Sequence, residues 1–284
     1  MYYNIEEIVN ERKRNKKIFF IIIIAIIIII LAIMAGINFA KHVKNNEKTA
    51  QNTNENETQE IEKEETGFNK DQIKAINKIY NSDTKRAFLT FDDGPSYQVT
   101  TEILDILKEE NIKATFFVLG TMVKSNPEVL RREHEEGHYI ANHGYSHVYS
   151  KVYKNKNSVL EEYKKCEKEI KKALNDENYS SNLFRFPGGS VGGPYDDVKK
   201  QAIKEFEKQN IAYLDWNALT FDADGAETKE EIMNNLKDTV EGKDSVVILM
   251  HDAPNKDLTA ETLKSVIKYL KDEGYSFKNI YDII

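Results

Sequence analysis

The chain has 284 residues, with 40 Lys and Arg against 47 Asp and Glu, for a formal net charge of −7. That length admits one domain of ordinary size plus appendages, and an acidic chain without a basic stripe carries no nucleic-acid footprint. A single cysteine, Cys166, excludes an intrachain disulfide, and its charged neighbours on a helical pattern mark it as an inert thiol.

In chain order, the first feature is an apolar run over residues 18–37, in which every position from 21 to 30 except Ala25 is isoleucine. A helix needs about 20 such residues to span the hydrocarbon core. No convincing A-x-A cleavage signal precedes Phe39-Ala40-Lys41, so the run reads as an uncleaved anchor. Arg12, Lys13, Arg14, Lys16 and Lys17 precede it and hold that side in the cytoplasm. The sparser Lys41, Lys44 and Lys48 beyond it weaken that bias without reversing it. The expected organisation is a cytoplasmic N-terminus (1–17), a transmembrane anchor (18–40), a linker (41–67) and an extracytoplasmic domain (68–284), which makes a single-pass protein of the cell membrane. The linker is Asn, Glu, Lys, Thr and Gln with almost no large apolar residue, so it is expected to be a disordered tether.

From residue 68 short apolar runs alternate with amphipathic stretches. Strands are expected at 87–91, 114–118, 139–141, 183–185, 211–214 and 245–250. Helices are expected at 101–110, after Pro127, at 158–174 with Ser158 as its cap, and at 195–209, 229–240 and 259–273. This alternation argues for a parallel sheet covered by helices. About seven such units suit a distorted (β/α)7 barrel, in which chemistry sits at the C-terminal ends of the strands.

Titratable residues appear at five of those ends. Asp92-Asp93-Gly94-Pro95 follows the first strand and His143-Gly144-Tyr145-Ser146-His147 the third. Phe186-Pro187-Gly188-Gly189 follows the fourth strand, Asp215-Trp216-Asn217 the fifth and His251-Asp252 the sixth. His143 and His147, four apart, can meet one cation if the segment turns tightly, and a carboxylate completes the familiar two-His-one-acid set. Asp92 and Asp93 point in different directions from an extended exit, so one can bind metal while the other meets the attacking water. Arg185, at a barrel mouth, needs a carboxylate partner, for which Asp92 and Asp93 are both candidates. The glycine pair lets backbone approach a ligand and offers N–H groups to an oxyanion. His42, His134 and His138 lie in the linker or on a charged helix and read as solvated.

Together the five motifs resemble the polysaccharide deacetylases of carbohydrate esterase family four, over about residues 85–284. "TFDDGP" at 90–95 is the most specific; "HGYSH", "RFPGG", "DWN" and "LMH" resemble the family's histidine, arginine, tryptophan and final Leu-x-His motifs. The resemblance implies a divalent metal, usually Zn2+ with Co2+, Mn2+ or Ni2+ as alternatives, held by Asp93, His143 and His147. It further implies Asp92 as general base, Arg185 orienting it, and His251 as general acid. The Gly188 N–H would be the oxyanion donor, and Trp216 and Leu249 the walls of the acetyl pocket.

Some positions depart from the family pattern. Gly144 stands where a hydroxyl residue is usual and Gly188 where an aromatic is usual. Leu219 and Ala223 fall where some relatives carry an acid that tunes the catalytic histidine and a second tryptophan, with Asp222 or Asp224 as substitutes for that acid. The implied activity is hydrolytic deacetylation of an N-acetylated glycan. The anchor points to N-acetylglucosamine of peptidoglycan. An exopolysaccharide or chitin-like oligomer, an O-acetylated xylan, or a non-catalytic wall-binding role are the competing readings. The expected partners are the glycan and the membrane, with no nucleic acid and no obligate protein partner.

Overall fold

The computed structural model describes residues 67–284. The expected cytoplasmic segment, membrane anchor and nearly all of the linker lie outside the described residues. Among those described, no helix is long and apolar enough to cross a membrane.

Strand β1 (Arg86–Asp92) and strand β7 (Ser245–His251) form the centre, paired in parallel register from Arg86 opposite Ser245 to Asp92 opposite His251. Both read as near-continuous apolar runs because both faces are covered. β2 (Thr115–Val118), β3 (Tyr139–Asn142), β4 (Leu183–Phe184) and β5 (Ala212–Tyr213) extend one side, and β6 (Ala218–Leu219) lies beyond β7. The order is β5-β4-β3-β2-β1-β7-β6, every pairing is parallel, and β8 (Ser276–Lys278) joins the start of β1. β5 and β6 are the two ends of this path, so the sheet curls into a partial barrel rather than a closed ring of seven units.

Seven helices follow the strands or pack on them: α2 (Val99–Glu109), α3 (Gly120–Ser125), α4 (Pro127–Glu135), α6 (Lys156–Leu174), α7 (Asp196–Glu207), α8 (Lys229–Val240) and α9 (Asp257–Asp272). Except for α7, whose Ala202 and Phe206 pack with Phe184 and Phe186, their apolar sides meet Leu89, Phe91, Phe116, Ile140, Ile248 and Met250 on the outer face of the sheet. α6 begins earlier than expected: Asn155, not Ser158, is its cap, and its side chain accepts the N–H groups of Asn157 and Ser158. A helix the sequence reading missed, α1 (Lys70–Asn77), is started by a capping box between Asn69 and Gln72. Its Ile76, with Ile79 just beyond it, packs on the inner face against Phe88, Phe117 and Val247.

Side-chain alternation along each strand positions the site. On β1 the inner face runs Phe88, Thr90, Asp92; on β7 it runs Val247, Leu249, His251. The β3 series Tyr139, Ala141 leads to His143, the β4 residue Leu183 to Arg185, and the β5 series Ala212, Leu214 to Trp216. The apolar members of each series fill the lower interior, and the polar members emerge together at its C-terminal mouth.

Candidate active site

Asp92 is buried at the end of β1, and its Oδ1 accepts a 2.7 Å hydrogen bond from Arg185 Nη1. Arg185 is itself fully buried. Its other N–H groups donate to Thr90 Oγ1 and to the Leu214 and Asp215 carbonyls, and its guanidinium lies 3.9 Å over the Phe117 ring. Four of its five N–H donors are used, so this charge is held rigidly against one carboxylate. Of the two open candidates, the partner is Asp92. Burial pushes the Asp92 carboxyl above its usual range, and the Arg185 charge opposes that rise. The result is a carboxylate basic enough to take a proton.

Asp93 leaves the strand with φ 76, a left-handed conformation uncommon outside glycine. The exit is therefore a sharp turn at Asp93, not the extended segment expected. Asp93 Oδ1 lies 3.6 Å from both His143 Nε2 and His147 Nε2. That is too long for a hydrogen bond, and Asp93 Oδ1 is buried with no hydrogen-bond partner. Ligands about 2.1 Å from a tetrahedral ion stand roughly 3.4 Å apart. The three atoms, all within 4.8 Å of one another, thus have the spacing of a cation site, and a cation would satisfy the orphan oxygen. The residues present fit a divalent metal.

The histidines are oriented for that role. His143 Nδ1 is 2.8 Å from the Arg185 carbonyl, which can only accept, so Nδ1 carries the proton and Nε2 turns its lone pair toward Asp93. Burial pushes His143 down to about 3, keeping the imidazole neutral as a ligand. The loop at Gly144, where the family usually carries a hydroxyl residue, is braced by Glu162: its Oε2 on α6 accepts the N–H groups of Tyr145 and Ser146 at 3.0 and 2.7 Å.

On the opposite wall, His251 Nδ1 is 3.0 Å from Asp222 Oδ1, and Asp222 Oδ2 accepts from the His251 N–H and Thr259 Oγ1. Burial works against the imidazolium, yet Asp222, with Asp92 and Asp93 behind it, outweighs burial and raises His251 to about 9. Burial likewise opposes the Asp222 charge, but the hydrogen bonds from His251 and Thr259 hold its carboxyl below the usual range. Asp222, rather than Asp224 or any residue at 219, is thus the acid behind this histidine. β6 is only two residues long, and Phe221 turns with φ 57, which delivers the next side chain under His251.

The glycine loop is pinned by Asp215, whose carboxylate accepts from Ser190 N–H and, at 2.5 Å, Ser190 Oγ. Gly188 and Gly189 both have positive φ. A Cβ on Gly188 would stand 2.8 Å from the Tyr149 hydroxyl, and one on Gly189 would stand 3.4 Å from the Trp216 ring. Leu249 lies between Val247 and His251 on the inner face of β7, and Trp216 packs beside the inner core.

Asp252 was named in the sequence only as the neighbour of His251. It is buried, its N–H donates to the Asp92 carbonyl, and its Oδ2 accepts from Thr100 Oγ1 at 2.6 Å. It fills the space a side chain at Gly94 would need, so it fixes the turn that carries Asp93. Its adjacency to His251 after a buried strand was the available signal. His138, read as solvated, is instead buried against Phe116, with Nδ1 accepting the Ala114 N–H; burial pushes it to about 3. His134 is exposed beside Tyr179. Cys166 is buried with its thiol donating to the Val118 carbonyl, and burial pushes its pKa up.

Comparisons with known proteins agree with this arrangement. The family described as polysaccharide deacetylase matches residues 79–211. A peptidoglycan-N-acetylglucosamine deacetylase of Bacillus cereus is 33% identical over 213 residues, covering 73% of this chain and 74% of its own. A CE4 esterase from Streptococcus mutans superposes with a TM-score of 0.65 at 30% identity, covering 75% of this chain and 92% of its own. The catalytic domain of a peptidoglycan N-acetylglucosamine deacetylase from Eubacterium rectale gives 0.64 at 28% identity, with 70% and 90% covered. The chain belongs to the polysaccharide deacetylase family, hydrolases acting on amide bonds.

Proposed function

We propose that the protein is a metal-dependent deacetylase that removes the acetyl group from N-acetylglucosamine units of peptidoglycan, outside the cytoplasm. The observation that carries this reading is the convergence of Asp93 Oδ1, His143 Nε2 and His147 Nε2 beside a buried Asp92 locked to Arg185. The names of the similar Bacillus cereus and Eubacterium rectale proteins support the substrate. The apolar run at 18–37 supports an anchored, extracytoplasmic setting.

Asp93, His143 and His147 would hold a divalent cation, most simply Zn2+ for this set of one carboxylate and two imidazoles. Bound there, the cation supplies Lewis-acid polarisation of the acetamide carbonyl and acidifies the attacking water. Asp92 accepts the proton of that water as its oxygen bonds to the carbonyl carbon, and Arg185 keeps the carboxylate aimed. The Gly188 N–H, on a loop fixed by Asp215, faces the negative charge that develops on the carbonyl oxygen. His251, charged at neutral pH through Asp222, gives its proton to the amide nitrogen as the C–N bond breaks. Acetate and a free amine leave, and Trp216 and Leu249 enclose the acetyl methyl.

Acetate release by the full-length chain tests this, on peptidoglycan and on N-acetylglucosamine oligomers, with zinc added and with a chelator. Release that needs the metal, and that vanishes in Asp92→Asn while zinc still binds, is the expected outcome. Wild-type rates in Asp92→Asn would overturn the assignment of the base. Release from oligomers but never from peptidoglycan would move the substrate to another glycan.

A further inference from the structure

Six large apolar side chains are exposed among the described residues: Tyr97, Val148, Tyr149, Val191, Phe221 and Tyr281. The first five lie on the loops that follow β1, β3, β4 and β6, the same end of the sheet that carries Asp92, His147 and His251. An apolar rim confined to the mouth of a polar site marks a binding surface rather than scattered exposure. Within this rim Tyr149 is distinguished by its supports. It begins a short helical turn, α5 (Tyr149–Val152), two residues after His147. Its ring lies 5.5 Å from the His147 ring on one side and 5.9 Å from Tyr153 on the other. Tyr153 stacks on Tyr195 at 5.2 Å and donates its hydroxyl to the Pro187 carbonyl. An aromatic column thus leads from α7 up to the candidate metal ligands, and Tyr149 is its exposed upper member, 42% accessible.

The column and the glycine loop fit each other. Gly188 has no side chain, and the space above its Cα holds the Tyr149 hydroxyl. Gly189 faces Trp216 on the other side. The Gly188-Gly189 backbone therefore forms the floor of a slot walled by Tyr149 and Trp216 and open toward His147. A pyranose ring has an apolar C–H face and a polar rim. Tyrosine offers a flat apolar face and a hydroxyl, held here at little entropic cost because the column already fixes its rotamer.

We propose that Tyr149 is a specificity-determining residue that receives the apolar face of a sugar ring of the N-acetylated glycan, taking over from the side chain absent at Gly188. This rests on the glycan-deacetylase reading above, and binding can be measured apart from turnover. Trp216 is the single tryptophan of the chain and lies in the same slot, so its fluorescence reports occupancy. The full-length Asp92→Asn chain with zinc is titrated with the tetramer of N-acetylglucosamine, with and without Tyr149→Ala or Tyr149→Phe. Zinc affinity is measured for each variant, and KM and kcat for acetate release are compared on the Asp92 background.

The expected result is a roughly five- to tenfold weaker tetramer affinity for Tyr149→Ala, matching the worth of one aromatic contact. Tyr149→Phe stays within about threefold, zinc affinity is unchanged, and the turnover defect appears in KM more than in kcat. Unchanged tetramer affinity in Tyr149→Ala overturns the proposal, as does no tetramer binding by the parent chain. A parallel loss of zinc affinity would make Tyr149 a brace for His147, and a Phe variant as weak as Ala would place the effect on the hydroxyl. Either result also overturns it. Tyr149-dependent binding without acetate release leaves the proposal standing and removes the deacetylase reading.

Discussion

A general acid must hold a proton at the working pH, and a free histidine, with a pKa near 6.5, is mostly neutral above pH 7. His251 escapes this chiefly through the Asp222 carboxylate at its Nδ1, with Asp92 and Asp93 adding to the effect. Its folded pKa is raised, to about 9. The stabilisation from the pair is therefore fully present below the unfolded value and is lost as pH rises through about 9. Asp222→Asn keeps a hydrogen-bond acceptor but removes the nearest charge, leaving burial, which lowers the histidine pKa, opposed only by Asp92 and Asp93. The expected outcome is an alkaline limb of the pH–rate profile that shifts toward neutral pH. A fall in kcat of roughly 10- to 100-fold at mildly alkaline pH should accompany it, part of the 10²–10⁴ a positioned proton donor contributes. A cation bound at Asp93 adds positive charge nearby and moves the limb further the same way, so both proteins are compared at saturating zinc. An unshifted limb in Asp222→Asn would mean that His251 is not the group titrating there.

At the scale of the elements, the strand exits were legible and the turns between them were not. β1 and β7 are apolar enough to read as buried strands, and period-two alternation then assigns Asp92 and His251 to the inner face. Parity along β3 and β4 does the same for His143 and Arg185. What escaped was set by backbone conformation that residue type does not encode. Asp93 turns left-handed, so two adjacent acids diverge by a turn rather than by extension. β6 is too short to carry a pattern, which left the acid behind His251 unplaced among nearby carboxylates. His138 looked solvated because it follows a charged helix, whereas its neighbours in space are Phe116 and a backbone N–H. The turn after β1 yields a test of its own. Gly94 is required because Asp252 occupies the volume a side chain would need, while Asp252 is held by Thr100. Gly94→Ala must push that carboxylate or the Asp93 backbone aside, an overpacking cost of about 1–3 kcal/mol. The urea midpoint is expected to fall, and zinc affinity with it, since Asp93 moves. A lowered midpoint with unchanged zinc affinity would separate the turn from the ligand it carries.

For the molecule as a whole, the mouth concentrates carboxylates: Asp92, Asp93, Asp222 and Asp252 gather around Arg185 and His251. Arg185 is committed to Asp92 and His251 to Asp222. Asp252, its pKa raised to about 7 chiefly by burial, is only partly ionised at neutral pH. Asp93 is left with a buried oxygen lacking a hydrogen-bond partner, so the native state without a cation keeps an uncompensated cost at that point. A cation that binds the folded chain and not the unfolded one removes the cost and stabilises by mass action, about 2.7 kcal/mol at a hundredfold excess over Kd. For a folded unit of this size that corresponds to a rise in Tm of roughly 5–10 °C. Zinc is expected to produce this increment and a chelator to reverse it. His147→Ala should abolish it while barely changing the Tm measured in chelator, because His147 is a third exposed and adds little to the core. Asp92→Asn should keep most of the increment, although it loosens the pair with Arg185. A zinc increment that survives His147→Ala would place the cation away from Asp93 and His143, and the hydrolytic reading of the mouth would lose its metal.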